Sequence, residues 1–486
     1  MYLGLDFGTS SVKGVLIDAK QKILATASAP LKVSRPQSGW SEQNPEDWWK
    51  ACNIVVKTLG KMKPKAIAAV EGIGLSGQQH GATLLDAAGK VLRPCILWND
   101  ARSFRECGEI MENEPGAVAL SGNIPLAGYT APKLVWVKKH EPKIFSKVAK
   151  VLLPKDYIRL RMTGEYASDM SDSSGTYWLD IAKRSWSDML LNASGMSIDQ
   201  MPKLYEGTEV TGQLTPAAAK AWGMPKRPVV AGGGGDNASA ACGIGAVTDN
   251  AALVSIGTSG VMFVSNGTFR PNAGRLVHAF CHAVPGTWHQ MGVILSAAAS
   301  LEWLAGVLGT PAPRLTAKLG STLTGPSPAL FLPYLSGERT PVGDSQIRGL
   351  IMGLGHETDH KILTHAALDA VAFAFRDSAE ALKAAGTEVS RVTAVGGGSK
   401  SELWLKIIAT VLGVPVDLPA AGDVGGAFGA ARLGLIAATG ADYRKVLKAP
   451  KTARTIKPEA RARDAYEEHY RRYTQIYPAI KEIYRS

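Results

Sequence analysis

Short apolar runs bounded by turn residues alternate along the chain with longer segments in which apolar positions recur at helical spacing. The short runs are typical of buried strands, and the periodic segments are typical of helices packed on one face. Strand patterns occur at 66–75, 229–234 and 392–398, for example. Strands that alternate with helices in this way predict an α/β fold.

The length of the chain indicates more than one domain. Its 486 residues exceed what a single hydrophobic core usually supports, and its composition, 45% hydrophobic and 20% charged, is that of a globular protein. We therefore predict two domains, at 1–244 and 245–486, and a last helix at about 458–484 that packs back on the folded body. Four tyrosines share one face of this helix, which favours packing over stacking on nucleic-acid bases: Tyr466, Tyr470, Tyr473 and Tyr477.

Charge and cysteine content narrow the choice of partners and compartment. Lys and Arg total 54 against 42 Asp and Glu, a net charge of +12, but the basic residues are scattered along the chain. This favours a solvated surface that mildly attracts anionic nucleotides, and we expect neither nucleic acid nor a membrane as a partner.

The five cysteines include no pair at the spacing of redox or zinc sites, and no secretory leader pattern is recognisable, so we expect a cytoplasmic protein.

A turn rich in glycine and hydroxyl residues follows the first apolar strand and occurs again half a chain later. Residues 8–11 read Gly-Thr-Ser-Ser after the strand that ends in Asp6, and residues 257–259 read Gly-Thr-Ser after a second strand. One such turn alone is equally well explained as an ordinary hairpin, whose tip needs small residues. Repetition at this separation predicts two related domains that each place a loop at a shared cleft, where backbone N–H groups and hydroxyls can hold the phosphates of a nucleotide.

A run of four glycines, 232–235, lies between a strand pattern and a helical stretch that starts at Asp236. Glycines would let a substrate approach the loop and leave the Asp236 carboxylate exposed to a reacting hydroxyl, as a general base requires. The same pattern is explained if Asp236 only caps the helix. In either case the helix N-terminus should lower the pKa of the Asp236 carboxyl group. A second run, at 396–398, is either a nucleotide-binding turn or a plain strand-to-helix connection.

Several longer motifs together carry a specific resemblance to a known family. They are DFGTS at 6–10, SGQQHG at 76–81, LWND at 97–100, LPKDY at 153–157, DMSD at 169–172, GGDN at 234–237 and LSGERTP at 335–341. Along essentially its whole length the chain resembles the carbohydrate kinases of the FGGY family.

The resemblance implies a fold, a catalytic pair of carboxylates and a nucleotide site. The fold is two ribonuclease H-like domains of the actin and hexokinase type, with the active site in the cleft between them. Asp236 would be the catalytic base, and Asp6 would place a magnesium ion through water. The nucleotide, ATP, would be bound by residues of the glycine-rich loops: Thr9, Ser10, Lys13, Gly257, Thr258, Gly397 and Gly398.

The resemblance also implies a substrate, D-xylulose, which would be converted to D-xylulose 5-phosphate. The implied sugar contacts are Gln79, His80, Trp98, Asp236 and Asn237. Related members carry methionine where this chain has Gln79, an added donor and acceptor that can shift the preference toward another ketopentose or a polyol. A homodimer stays open as a partner, as do two other functions on the same fold: an actin-like ATPase and a sugar-binding protein without catalysis.

Overall fold

The structure, a computed structural model, describes residues 1–420 and 425–484, so the predicted domain at 245–486 includes six residues that lie outside the described ones. Two large sheets dominate it. The first consists of β1 (Tyr2–Phe7), β2 (Ser11–Ile17), β3 (Ile23–Pro30), β4 (Gly72–Gly77), β5 (Val210–Gln213), β6 (Val229–Ala231) and β7 (Gly234–Gly235). The second consists of β8 (Ala252–Ile256), β9 (Gly260–Asn266), β10 (His278–Cys281), β11 (Trp288–Ile294), β12 (Val392–Val395), β13 (Val416–Pro419) and β14 (Thr452–Ile456).

The two sheets share one topology. The first runs in the order β5-β6-β4-β1-β2-β3, with β7 beside β4, and the second in the order β10-β11-β9-β8-β12-β13-β14. In each, three antiparallel strands (β1 to β3; β8, β9 and β11) are followed by two strands parallel to the first and by an antiparallel edge strand. This repeated arrangement confirms the predicted α/β class with two ribonuclease H-like domains.

Helices fill the connections between these strands. The longer ones are α1 (Pro45–Met62), α2 (Phe104–Asn113), α3 (Thr130–His140), α4 (Pro154–Thr163), α5 (Asp236–Ile244), α6 (Ala298–Val307), α7 (His360–Ala384), α8 (Glu402–Leu412), α9 (Gly425–Thr439) and α10 (Arg463–Ile480). Small strand pairs lie outside the two sheets: Glu42–Gln43 with Cys95–Ile96, Thr83–Leu85 with Lys150–Leu152, Ala167–Asp169 with Lys203–Tyr205, Leu179–Asp180 with Ser185–Trp186, and Leu330–Leu332 with Leu350–Met352. None of the helices in the described part combines the length and the apolar character that a bilayer span requires.

Both faces of the first sheet are covered, which explains why its central strands are apolar throughout. Leu3 and Leu5 of β1 share a buried core with Trp48 and Leu59 of α1. Because side chains alternate along a strand, Gly4 faces the opposite side, where α9 lies against β1 and β4. A helix from the last quarter of the chain therefore completes the sheet formed by the first half.

Glycines let α9 approach both of its neighbours at backbone distance. A Cβ atom on Gly4 would lie 1.8 Å from the Ala427 carbonyl oxygen, and one on Gly74 would lie 1.8 Å from that of Ala430. On the other side of the helix, a Cβ on Gly429 would lie 1.7 Å from a carbonyl oxygen of α5. These positions exclude any side chain, because a real Cβ essentially never comes that close to a backbone oxygen.

The C-terminal helix α10 packs on the long helix α7 of the second domain. Tyr466, Tyr470 and Tyr473 are buried, and the ring of Tyr473 lies 5.3 Å from that of Phe373. Tyr466 Oη donates to a carboxylate oxygen of Asp369 at 3.0 Å, and Tyr470 Oη donates to one of Asp377 at 2.7 Å. The helix begins at residue 463, after a short turn of 3₁₀ helix at 460–462, instead of at the predicted 458.

We expect Gly74→Ala to destabilise the protein by about 1–3 kcal/mol or more, because its Cβ would push α9 away from the first sheet. Gly108→Ala is the matched control. Gly108 lies inside α2, a Cβ there meets nothing within 4 Å, and the change should stabilise the protein by about 0.5–1 kcal/mol. Urea unfolding followed by circular dichroism measures both, and equal stability of the two variants would contradict this view of α9.

Candidate active site

Each large sheet ends in a tight hairpin at the cleft between the domains, as the duplicated turn predicts. Gly8 N–H donates to the Ser11 carbonyl at the tip between β1 and β2, and Gly257 N–H donates to the Ser259 carbonyl at the tip between β8 and β9, both at 3.1 Å. The second tip is anchored from behind, because the carbonyls of Gly257 and Thr258 accept N–H groups from the start of α6. Both loops are thus held in fixed conformations.

A cavity of about 250 Å³ lies between the two domains. The five predicted sugar-binding residues all line it, together with Gly257 of the second hairpin. The remaining walls come from the second domain: Ser255, Ser259, Val261, His278, Phe280, Met291, Val293 and Arg339. The cavity is of a size that suits a small polyol, with polar groups on several sides and aromatic or aliphatic surface between them.

Asp236 is the first residue of α5 and directly follows the glycine run. Gly235 occupies the N-cap position, so Asp236 is not the helix cap. Its Oδ1 accepts from the backbone N–H of Asn237 at 2.7 Å and from the Asn237 amide at 2.9 Å. The two bonds fix the orientation of the carboxylate and leave Oδ2 as the oxygen available to a ligand.

The prediction that the helix N-terminus holds the pKa of Asp236 down is wrong. Burial of the carboxylate and the nearby negative charge of Asp6 raise its pKa to about 7. The hydrogen bonds from Asn237 act in the opposite direction but are outweighed. The group is therefore poised to exchange a proton near neutral pH, which is the behaviour expected of a general base.

The glycine run is also needed for a different reason from the one predicted. Its members are pressed against the protein itself: a Cβ on Gly233 would lie 2.1 Å from the Leu75 carbonyl oxygen, and one on Gly235 would lie 2.6 Å from the Gln79 side chain. Gly233 also has a φ of +73°, a conformation that other residues adopt at a cost. The run thus packs the loop on β4 and on Gln79, and this packing sets the position of Asp236.

Asp6 lies at the end of β1, opposite Lys13 on β2 and Ser76 on β4. Its Oδ1 accepts from the Ser76 hydroxyl at 2.8 Å. Burial raises the pKa of this carboxyl group, and the hydrogen bond from Ser76 and the charge of Lys13 only partly offset the effect. The first turn of α9 closes over the pair, because a Cβ on Gly426 would lie 2.6 Å from Ser76 Oγ and 3.2 Å from Asp6 Oδ1.

His80 is held on the sugar side of the cavity as a neutral ring. Its Nδ1 lies 2.7 Å from the Gly175 carbonyl oxygen, so this nitrogen carries the proton and donates it. Burial lowers the pKa of His80 to about 3. The backbone here has a φ of +70°, and Lys133 Nζ donates to the His80 carbonyl at 2.8 Å. Gln79 beside it is anchored too, since its amide donates to the Ser171 carbonyl at 3.2 Å.

Trp98 lines the cavity, and its indole N–H donates to Thr9 Oγ1 at 2.9 Å. The Thr9 hydroxyl in turn donates to the Gln78 amide oxygen, also at 2.9 Å, and Gln43 donates to the Thr9 carbonyl at 2.7 Å. The hydrogen bonds of Thr9 therefore tie the first hairpin tip to the sugar side of the cleft.

The predicted nucleotide-binding residues fall into two groups. Gly398 packs against the end of β8, where its Cβ would lie 2.3 Å from the Ile256 side chain, directly before Gly257, whereas a Cβ on Gly397 would meet nothing within 4 Å. The structure therefore brings this glycine run and the second hairpin together. Thr9, Ser10 and Lys13 lie across the cleft on the first hairpin. Of the predicted nucleotide set only Gly257 lines the sugar-sized cavity, and Ser10, Lys13, Thr258 and Gly397 are exposed.

Beneath the Asp236 loop lies a fully buried cluster of charges centred on Lys155. Its ammonium nitrogen is 2.5 Å from a carboxylate oxygen of Asp156, 2.6 Å from Asp169 and 3.2 Å from Asp172. Three carboxylates at this spacing would suit a metal ion, but the ammonium already occupies the position between them. Burial and the charges of the other two carboxylates raise the pKa of Asp172 well above its usual range, although the charge of Lys155 acts against them.

The Lys155 cluster holds both ends of the glycine run. Asp169 Oδ1 accepts from the Ser171 hydroxyl at 2.7 Å, and Ser171 Oγ accepts from the Gly235 N–H at 3.0 Å. At the other end, Arg159 donates to the carbonyl oxygens of residues 231 and 232, both at 2.6 Å. No motif in the sequence assigns this role, although the residues stand in the motifs at 153–157 and 169–172.

Two residues that line the cavity, His278 and Arg339, were not among the predicted contacts, nor was Tyr129 beside them. Tyr129 Oη and His278 Nδ1 are 2.5 Å apart, and Arg339 Nη1 lies 3.5 Å from the other ring nitrogen of His278. They come from distant parts of the chain and meet only in the folded protein. Arg339 belongs to the motif at 335–341, which is the signal that could have indicated it.

Comparison with known protein families identifies the class. The model of the N-terminal domain of the FGGY family of carbohydrate kinases matches residues 1–243, and that of the C-terminal domain matches residues 252–438. The chain therefore belongs to the FGGY family of carbohydrate kinases.

Particular relatives within the family are similar over their whole length. The chain is 49% identical to a xylulose kinase of Escherichia coli over 90% of each chain, and 44% identical to one of Klebsiella pneumoniae over 99% of this chain and all of the relative. Among solved structures, a xyloylose kinase from Brucella ovis is 56% identical and superposes with a TM-score of 0.97 over 99% of both chains. A xylulose kinase from Rhodospirillum rubrum, 28% identical, superposes over the full length of both chains with a TM-score of 0.92.

We expect Lys155→Met to destabilise the protein by about 3–5 kcal/mol, because it leaves buried carboxylates without a counter-charge. In the folded fraction kcat should fall more than KM rises, since the loop that carries Asp236 loses its support from below. Lys183→Met is the control, because Lys183 is largely exposed and its ion pair with Asp180 should contribute little. Urea unfolding and steady-state rates measure both, and a stable, fully active Lys155→Met would refute the assigned role.

Proposed function

We propose that the chain transfers the γ-phosphoryl group of ATP to O5 of D-xylulose. The observation that carries this proposal is the position of Asp236: a carboxylate with a pKa near neutrality at a sugar-sized cavity between two phosphate-type hairpins. The long, close similarity to kinases named for xylulose supports this sugar over others. The division into domains at 1–244 and 245–486 belongs to the same proposal, with α9 packed across it.

In the proposed reaction Asp236 accepts the proton of the O5 hydroxyl while O5 attacks the γ-phosphorus. The bond between O5 and phosphorus forms as the bond from phosphorus to the bridging oxygen breaks, and that oxygen leaves with the electron pair on ADP. Because phosphoryl transfer depends mainly on positioning and charge, the chief task of the base is to orient the hydroxyl. Asn237 supports this task, since its two donors hold the Asp236 carboxylate in place.

For the nucleotide we propose the two hairpins together with the glycine run at 396–398. Thr9, Ser10 and Lys13 on one side and Gly257, Thr258, Gly397 and Gly398 on the other would hold the phosphates and the base end of ATP. Exposed Lys13 and the turns supply N–H groups and positive charge, which are what phosphates require.

Asp6 fits the requirements of a magnesium ligand. It is an oxygen donor with one oxygen held by Ser76, and burial beside Asp236 makes its negative charge costly, a cost that a divalent cation would remove. We propose that Asp6 holds the ion through water. When bound, the ion would neutralise negative charge between the phosphates.

Compartment and assembly belong to the same proposal. The five cysteines are free and buried, which supports a reducing compartment such as the cytoplasm. A homodimer stays a prediction.

A substrate panel tests the proposed sugar. With ATP and magnesium, we expect kcat/KM to be highest for D-xylulose among the pentuloses, pentitols and glycerol, measured as ADP release in a coupled assay. Gln79→Met is the informative variant, because Gln79 lines the cavity and contributes polar atoms that a methionine lacks. A higher kcat/KM for a pentitol or for glycerol in the unaltered protein would contradict the assignment of D-xylulose.

We expect Asp236→Asn to lower kcat by about 10²- to 10⁴-fold, because the amide cannot accept the hydroxyl proton. The dissociation constant for ATP should change little, since Asp236 lies on the sugar side. The pKa of Asp236 is raised to about 7, so the base is ionised above that pH and kcat/KM should fall as the pH drops through it. Initial rates from pH 5 to 9 and calorimetry measure these effects. Turnover by the variant at near-normal rate, with the same pH profile, would rule out this mechanism.

A further inference from the structure

Arg339 places a guanidinium group at the cavity with no ionised partner among the described residues. Its one side-chain hydrogen bond is the 3.5 Å contact with His278. Glu338, the neighbouring acid, is turned away and accepts the backbone N–H groups of Leu295 and Arg339 through Oε1, at 2.9 and 2.8 Å. Burial raises the pKa of Glu338 to about 8, so this carboxyl group is mostly neutral and leaves the charge of Arg339 uncompensated.

The cavity is therefore polarised along its length. At one side of the cavity lies Asp236, on which the negative charge of Asp6 acts, and the proposed reaction places the reacting hydroxyl there. The positive charge of Arg339 acts on His80 and His278 instead. A substrate with its reacting hydroxyl at Asp236 thus presents its other end to Arg339 and His80.

These two side chains offer complementary hydrogen bonding. Arg339 can only donate, and its guanidinium presents N–H groups in one plane. The neutral His80 donates through Nδ1 to Gly175, so Nε2, which has no partner among the described residues, can only accept. The group that matches both is one carbonyl oxygen next to one hydroxyl.

The chemistry of the proposed substrate supplies this group. A ketopentose closes its five-membered ring through O5, so only the open chain has a free O5 hydroxyl to phosphorylate. In the open chain C2 is a carbonyl and C1 carries a hydroxyl. An enzyme that phosphorylates O5 must therefore bind the α-hydroxyketone form of the sugar. Side chains that recognise this form favour binding of the reactive substrate.

We propose that Arg339 determines specificity by donating to the C2 carbonyl oxygen of the open-chain ketose, while His80 Nε2 accepts from the C1 hydroxyl. This inference rests on the proposed function and names the residue that separates ketoses from polyols at the same site. A hydroxyl at C2, as in a pentitol, is a poorer acceptor that has left the plane of the guanidinium donors. The bond to the carbonyl is charge-assisted, and such bonds are the strong ones.

The test compares D-xylulose with xylitol in the unaltered protein and in Arg339→Met. We expect kcat/KM for D-xylulose to fall about 10- to 100-fold, mainly through KM, and that for xylitol to fall less than about threefold. Arg339→Lys keeps the charge without the planar donors and should shift the ratio in the same direction by a smaller factor. Arg105→Met, on the exposed surface of α2, is the control and should change neither rate.

Equal losses for the two substrates would overturn the proposal, because they would indicate a general effect on the site or on folding. An unchanged ratio in both Arg339 variants would overturn it as well. Failure of the proposed function is distinguishable, since it shows in the unaltered protein as no turnover of D-xylulose. In that case the same ratio is measured with a ketopentose and a pentitol that the protein does accept.

Discussion

Backbone contact between α9 and the first sheet is the constraint on which the active site depends. The glycines of β1 and β4 allow the helix to sit on the sheet with no side chain in between, and its first turn then lies against Asp6 and Ser76. The other side of the helix meets α5, which begins at Asp236. One helix thus touches the elements that carry both carboxylates proposed for catalysis.

The site also shows two different ways of using buried charge. In the Lys155 cluster the charges are paired at short distance, so they fix geometry without being available for chemistry. Asp236 and Arg339 line the cavity, with Asp6 near Asp236, and none of the three forms an ion pair with another described residue. One consequence of this arrangement is that the pKa of Asp236 is raised. The raised pKa also makes the carboxylate a better proton acceptor. Buried charges are thus paired within the protein in the Lys155 cluster, whereas the charges at the cavity are available to a ligand.

The sequence predicts the fold class, both hairpins and the five sugar-side residues, because each depends on a local pattern or on a continuous motif. The expected low pKa of Asp236 is wrong. The sequence shows that this residue lies at a helix N-terminus, but it does not show the burial that outweighs the effect of the helix. The hydrogen bond of the Trp98 indole could not be predicted for a related reason. Its partner Thr9 lies far away in the chain, and only the folded loops show that their bond is already made. The contacts of Arg339 join distant parts of the chain, and the carboxylates around Lys155 converge only through the fold, so residue spacing indicates neither arrangement.

The position of α9 has a consequence for the chain as a whole. Although the topology is duplicated, the first half lacks one of its own layers, which the second half supplies some 350 residues after β4 ends. A fragment that stopped between the sheets would leave a glycine-lined strip of backbone open to water. The molecule is therefore a duplication in architecture but not in autonomy, because the first half is complete only with a helix that the second half supplies.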